Sequence, residues 1–180
     1  MENNFIYLDN ASTTPLSENV LNIINSTYRN YWHNPSSTYE LGIKCSTYLE
    51  KIRSKIAYIF EADPEDIIFT SGSSESTNIV FNNIYEKFKN GRVVISNVEH
   101  QATTICANKL RKQNWDIYEW TVNNDGILNI SNIENILNND TKLVSIIWGQ
   151  SEIGTIQPVQ FIGSKCEELN IMFHLDGTQI

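Results

Sequence analysis

No apolar run in this 180-residue sequence approaches the roughly 20 residues that a membrane helix needs. The opening "MENNFIYLDN" lacks the basic and apolar regions of a secretory signal, so the expectation is a protein that stays in the cytosol and off the membrane. Positive charge is scarce: 13 Lys and Arg stand against 21 Asp and Glu, a net charge of −8, and the basic residues are scattered singly. That pattern offers no stripe for a phosphate backbone and no polybasic anchor, and nucleic acid is not an expected partner. Cysteine occurs three times, as Cys45, Cys106 and Cys166, widely separated and without a C-x-x-C pair. Neither a disulfide framework nor a zinc site is suggested, and each cysteine reads as a small buried or half-buried hydrophobe. Internal repeats and low-complexity tracts are also missing, which favours one continuous domain.

What is present is enough apolar material, 41% hydrophobic and 11% aromatic, to fold on a core. The arm "YLDNASTTPLS" is irregular, and a helix is expected from about Glu18 to Arg29. Between Tyr39 and Phe60, Leu41, Cys45, Tyr48, Leu49, Ile52, Ile56 and Ile59 recur at three- and four-residue steps, one face of a long helix. Short apolar runs follow: "IIFT" (67–70), "RVVIS" (92–96), "KLVSIIW" (142–148) and "IMFHL" (171–175), with "WDIYEWTV" (115–122) as one more strand. Helical patterns over 74–88, 101–113 and 158–169 separate them. Continuous apolar strands alternating with helices describe an α/β protein, a three-layer sheet with helices on both faces.

Ligands of such sheets gather beyond the carboxyl ends of the strands, which makes the residues there the candidates. After "IIFT" comes "SGSSES", where Gly72 permits unusual backbone and the amides from Ser73 onward can face an anion with a helix dipole behind them. The same turn can equally be a plain helix cap. "RVVIS" is followed by "NVEHQATT", which sets His100 at a strand-to-helix junction, a place for a surface or capping residue as well as a reactive one. "KLVSIIW" leads to Gln150, Ser151 and Glu152, and "IMFHL" to Asp176 and Gln179. An ionised carboxylate behind a buried strand is costly without a cationic partner, although an Asp there can simply cap a helix. Taken together, the four positions suit pyridoxal phosphate, which needs a phosphate nest, a flat neighbour, a donor to its phenolic oxygen and a carboxylate at its ring nitrogen.

In order and spacing, "YLDNASTTP", "NPSS", "FTSGSSESTN", "VEHQA", "SEIGTIQP" and "HLDGTQ" resemble the N-terminal portion of the cysteine desulfurases, class V aminotransferases among the fold-type I pyridoxal-phosphate enzymes. The resemblance implies a partial cofactor-binding large domain over residues 16–180, preceded by an arm over 1–15. It also implies a homodimer that takes sulfur from L-cysteine, leaving L-alanine. The sulfur passes to an enzyme cysteine and then to an acceptor such as an iron–sulfur scaffold or a tRNA-thiolation enzyme. Under the same resemblance Gly72 and Ser73 form the phosphate turn and the Ser74 hydroxyl binds the phosphate. His100 stacks on the ring and assists proton transfer, Asp176 partners the ring nitrogen, and Gln179 donates to the phenolic oxygen. Ser151 stands where the family commonly has an Asn that contacts that oxygen and the substrate carboxylate.

Departures from the family pattern sharpen the expectation. Tyr39 replaces a common His and Gly177 a common Ala, and nothing in the sequence explains either. No lysine here sits in the S-x-H-K motif that the family carries some two dozen residues past the Asp, and no cysteine matches its mobile catalytic position. The expectation is therefore a front half that is inactive alone. Related class V enzymes such as a selenocysteine lyase or a cysteine sulfinate desulfinase share this front half, and a non-catalytic remnant acting through dimerisation or as a partner subunit is a further reading. A nucleotide-binding domain would require an acidic ribose clamp after the second strand, where "NVEHQA" offers Glu99 at a poor spacing.

Overall fold

The apolar periodicities become elements almost residue for residue in a computed structural model that describes residues 6–180. The chain divides into two units, one ending at Phe69 and the other spanning Thr70–Ile180. Of the arm expected over residues 1–15, the first five lie outside the described residues, and 6–15 are irregular with a turn closed by the Ser12 amide on the Asp9 carbonyl.

In the first unit α1 (Glu18–Asn30) starts on Ser17, whose side chain accepts from the Val20 amide, and α2 covers Glu40–Ile59. The turn before α2 is held by Asn34 Oδ1, which accepts from the Ser36 amide at 2.9 Å. It packs so closely on the helix that a Cβ at Gly42 would lie 2.4 Å from the Ser37 carbonyl oxygen, which accounts for the glycine in "NPSSTYELG". Tyr31 and Tyr48 stack with ring centroids 4.0 Å apart, joining the end of α1 to α2.

One expected strand does not form. Residues 67–70 pair with none of the four strands of the sheet, and the Ile67 carbonyl is instead taken by the Arg53 guanidinium, whose Cζ lies 4.8 Å from the Phe69 ring centroid. β-Branched and aromatic composition fits a run for a ladder, but a strand exists only when another strand supplies the hydrogen bonds. Ile68 is 70% exposed as a result.

The second unit carries the sheet. Its elements are α3 (Ser73–Lys87), β1 (Arg92–Ser96), α4 (Gln101–Arg111), β2 (Asp116–Trp120), a single-turn α5 (Ile133–Ile136), β3 (Thr141–Ile147), α6 (Val159–Glu168) and β4 (Met172–Asp176). All pairings are parallel, in the order β2-β1-β3-β4. Alternate residues of each strand serve opposite faces. Val93, Ile95 and Leu143 pack with Phe81 and Ile84 of α3 and with Cys106 and Leu110 of α4. Val94, Val144 and Ile146 pack with Ile162 and Cys166 of α6 and with Ile133 and Ile136 of α5. The result is the expected three-layer α/β arrangement, and each fully buried aliphatic side chain contributes about 1.5–3 kcal/mol.

The strand order locates the functional end. From β1 the chain moves outward to β2, while from β3 it moves the other way to β4, so the order reverses between β1 and β3. In a doubly wound sheet the crevice opens at that reversal, above the carboxyl ends of the strands.

Candidate active site

Five of the strand-end residues singled out in the sequence, Ser73, His100, Ser151, Asp176 and Gln179, meet in this crevice. A cavity of about 80 Å³ is lined by Ser73, His100, Ser151, Asp176, Thr178 and Gln179 among others. A second lobe of about 290 Å³ extends from Ser73, Asp176 and Thr178 to Thr70, Gly72, Ser76 and His174. A larger cleft, about 600 Å³, lies by Lys142 and Met172 at the opposite, amino ends of β3 and β4.

The α3 end of the site is built for an anion. Gly72 precedes the helix at φ 153°, a conformation that side chains resist, and a Cβ there would meet nothing within 4 Å. Backbone conformation therefore selects the glycine, and packing does not. Glu75 and Ser76 are the first amides to bond back, both to the Gly72 carbonyl, so those of Ser73 and Ser74 precede the helical ladder. The Thr70 and Ser76 hydroxyls are 2.9 Å apart in the same lobe. Glu75 turns its carboxylate back onto the Ser71 amide at 2.6 Å and hydroxyl at 2.7 Å, and the amide first and the hydroxyl second hold its pKa below the usual range. Ser73 lines both lobes. Ser74 is exposed and lines neither, its carbonyl accepting from Asn78 Nδ2.

His100 does both things that its position allowed. It caps α4 by accepting from the Ala102 amide through Nδ1 at 3.2 Å, and it lines the crevice. An accepting Nδ1 places the proton of the neutral ring on Nε2. The cap thus orients the imidazole and sets its tautomer.

Asp176 ends β4 at 8% exposure, and its carboxylate is tied into a local turn: Oδ1 accepts from the Thr178 amide at 3.1 Å and hydroxyl at 2.5 Å. The Trp148 amide bonds to the Asp176 carbonyl at 2.9 Å, joining the residue to the end of β3. Its carboxylate serves a strand-end turn that lines the crevice. Ser151 and Gln179 line the same cavity from the loops after β3 and β4.

Several residues that matter here were not legible in the sequence. Thr178 anchors the key carboxylate. Gln157, 3% exposed, pins two loops by donating to the Gly126 carbonyl at 2.7 Å and accepting from the Leu128 amide at 2.9 Å. His174 lies one β-step before Asp176, its Nδ1 2.8 Å from Ser145 Oγ, and burial pushes its pKa down against an opposing push from Asp176. Glu99 is wedged between β1 and β3, with Oε1 accepting from Ser96 Oγ at 2.5 Å and from the Ile147 amide at 2.7 Å. Glu99 was read in the sequence only as a poorly spaced ribose clamp, and its place directly before His100 is the one signal there that could have pointed to this role.

The aminotransferase class-V family model matches residues 6–180. The chain belongs to that family. It is 36% identical over 178 residues to the mitochondrial cysteine desulfurase of Candida maltosa, covering 97% of this chain and 37% of that protein. Among solved structures, a NifS-like protein superposes with a TM-score of 0.91 at 30% identity over 96% of this chain and 48% of its own. A structure of SspA in complex with cysteine gives a TM-score of 0.88 at 27% identity over 94% of this chain and 49% of its own. The chain thus spans less than half the length of these three proteins.

Membership in the class V aminotransferases and similarity to cysteine desulfurases imply pyridoxal phosphate, and the donor set of this site fits that group. The amides and hydroxyls about the α3 terminus suit a phosphate, the buried Asp176 suits a ring nitrogen that carries a proton, and the planar ring of His100 lines the same cavity. The three buried cysteines do not fit a reactive role: Cys45, Cys106 and Cys166 are free, and burial pushes the Cys106 thiol up and the Cys166 thiol to about 11.

Proposed function

We propose that this chain forms the cofactor-binding portion of a pyridoxal-phosphate-dependent cysteine desulfurase acting on L-cysteine. The observation that supports the reading best is the convergence of the α3 terminus, His100 and the buried Asp176 on one crevice at the reversal of strand order. When bound there, pyridoxal phosphate supplies an electron sink for reactions at the carbons of an amino acid. Ser73, with the neighbouring amides and hydroxyls of Thr70 and Ser76, holds the phosphate. Asp176 keeps a proton on the ring nitrogen, and the Thr178 contacts aim its carboxylate. His100 would offer its planar ring to the cofactor, with Nε2 available to hold or move a proton. Ser151 and Gln179 bind polar substituents of the cofactor and substrate.

Turnover needs more than these residues. No lysine lines either lobe of the crevice, and none of the three buried thiols is suited to take sulfur. The 180-residue chain is therefore a binding module without desulfurase turnover of its own. In the complete reaction the sulfur of L-cysteine passes to an enzyme cysteine and on to an acceptor protein, with L-alanine released. Helix α1 buries none of its residues, and its exposed Val20, Leu21, Ile23 and Ile24 support a homodimer. Three free thiols fit a reducing compartment such as the cytosol.

Titration of the purified chain with pyridoxal phosphate and, separately, with ATP tests the reading. Saturable binding of pyridoxal phosphate, weakened tenfold or more by Asp176→Ala (about 1.4 kcal/mol or more), is the expected result. Equal affinity of the two proteins, or preference for ATP, would refute it.

A further inference from the structure

Glu99 occupies the reversal point itself yet makes no direct contact that the proposed chemistry requires. Its Oε1 takes two hydrogen bonds from different strands, Ser96 Oγ on β1 and the Ile147 amide on β3. Its Oε2 is shut off from solvent and meets no donor. An ionised carboxylate needs donors on both oxygens, and one buried with half of them missing is heavily penalised, whereas a protonated Oε2 loses far less. No Lys or Arg pairs with Glu99 among the described residues.

The titratable groups at these strand ends are Asp176 and His174 on β4 and His100 at the head of α4. Of them Asp176 is the one whose charge reaches Glu99. Two negative carboxylates at one crevice repel, and each makes the second ionisation harder. Burial first, and Asp176 after it, raise the Glu99 pKa to about 7 against the hydrogen bonds that lower it.

We propose that Glu99 is a positioning residue that works as a neutral acid: Oε1 clamps the turn carrying His100 to the end of β3, while a proton kept on Oε2 spares the crevice a second negative charge beside Asp176. The clamp explains how a loop residue such as His100 is held in register with a β4 carboxylate on a different strand. The link to the cofactor rests on the pyridoxal-phosphate reading, but the protonation of Glu99 does not.

Carboxyl-carbon NMR titration of the full chain labelled at glutamate tests the charge state directly, with Glu99→Gln assigning the signal by its disappearance. The expected midpoint is about 7 in the wild type, moving down in Asp176→Asn, which keeps the Oδ1 acceptor and removes the charge. A midpoint in the ordinary carboxylate range, or one that Asp176→Asn leaves in place, would overturn the proposal. Pyridoxal-phosphate binding supplies the second arm. Glu99→Ala is expected to weaken it by at least about tenfold, and Glu99→Gln, which retains an acceptor for Ser96 and Ile147, to restore it to within about threefold of the wild type. Gln no better than Ala would count against a neutral clamp. Should Glu99→Ala not fold, the titrations of the wild type and Asp176→Asn still decide. Should the wild type bind no pyridoxal phosphate, the functional reading fails while the titration continues to test Glu99 alone.

Discussion

Stability of the chain should fall as pH rises through the neutral range, and one side chain should account for the fall. Glu99 ionises near 4.5 in an unfolded chain and at about 7 in the folded one. At about 1.4 kcal/mol for each tenfold change, the folded state loses about 3 kcal/mol once both forms are ionised. The sign follows from proton counting: between the two pKa values the folded chain holds the extra proton, so Glu99's contribution is intact below 4.5, declines with pH and levels off above about 7. From about pH 5.5 to about pH 8, a window clear of the isoelectric point near 4.8, the decline amounts to about 2 kcal/mol. His174 acts in the opposite sense. Its lowered pKa means that its contribution is present above the ordinary imidazole range and lost as pH falls. The informative quantity is therefore the difference between wild type and Glu99→Gln, in which His174 cancels. Urea unfolding of both proteins across the window should give a difference that changes by about 2 kcal/mol, with the wild type relatively weaker at high pH. A difference constant to within about 0.5 kcal/mol would refute a buried, proton-bearing Glu99.

Other consequences follow from the same packing and geometry. Ile146→Ala removes a fully buried side chain from the centre of β3 and should cost about 2–5 kcal/mol in urea unfolding, far more than Ile68→Ala at its exposed position. Gly72→Ala should cost about 1–3 kcal/mol from backbone strain alone, because the added methyl meets no atom, and thermal unfolding measures it. The three thiols should react slowly with a chromogenic disulfide at neutral pH and quickly in denaturant, since all are buried and Cys166 titrates at about 11. A thiol that labels at once in the folded chain would mark a cysteine that the packing does not shield.

Local pattern carried most of the architecture. "RVVIS" became β1 without a shift of boundary, and the helix expected over 101–113 became Gln101–Arg111, because apolar periodicity is a property of consecutive residues. The site was legible where one residue's chemistry is costly on its own terms. A carboxylate behind an apolar strand, a glycine before a helix and a histidine at a junction each announce a requirement within a few positions of themselves. Segments that depend on distant partners were not legible. "IIFT" has strand composition and forms no ladder, and Gln157 joins loops about 30 residues apart in sequence.

By itself, then, the order of the residues determined most of the segments that are helices and strands, that the strands of the sheet are covered on both faces, and which side chains stand at their carboxyl ends. Only the tertiary structure decided that β1 and β3 lie side by side at the reversal, that Ser73 lines both lobes of the crevice, and that Glu99 is shut in beside Asp176 with one oxygen unmatched. The physical reason is range. Backbone preference and periodicity act over a few residues, whereas the energy of a buried charge depends on every dipole and charge that folding brings around it.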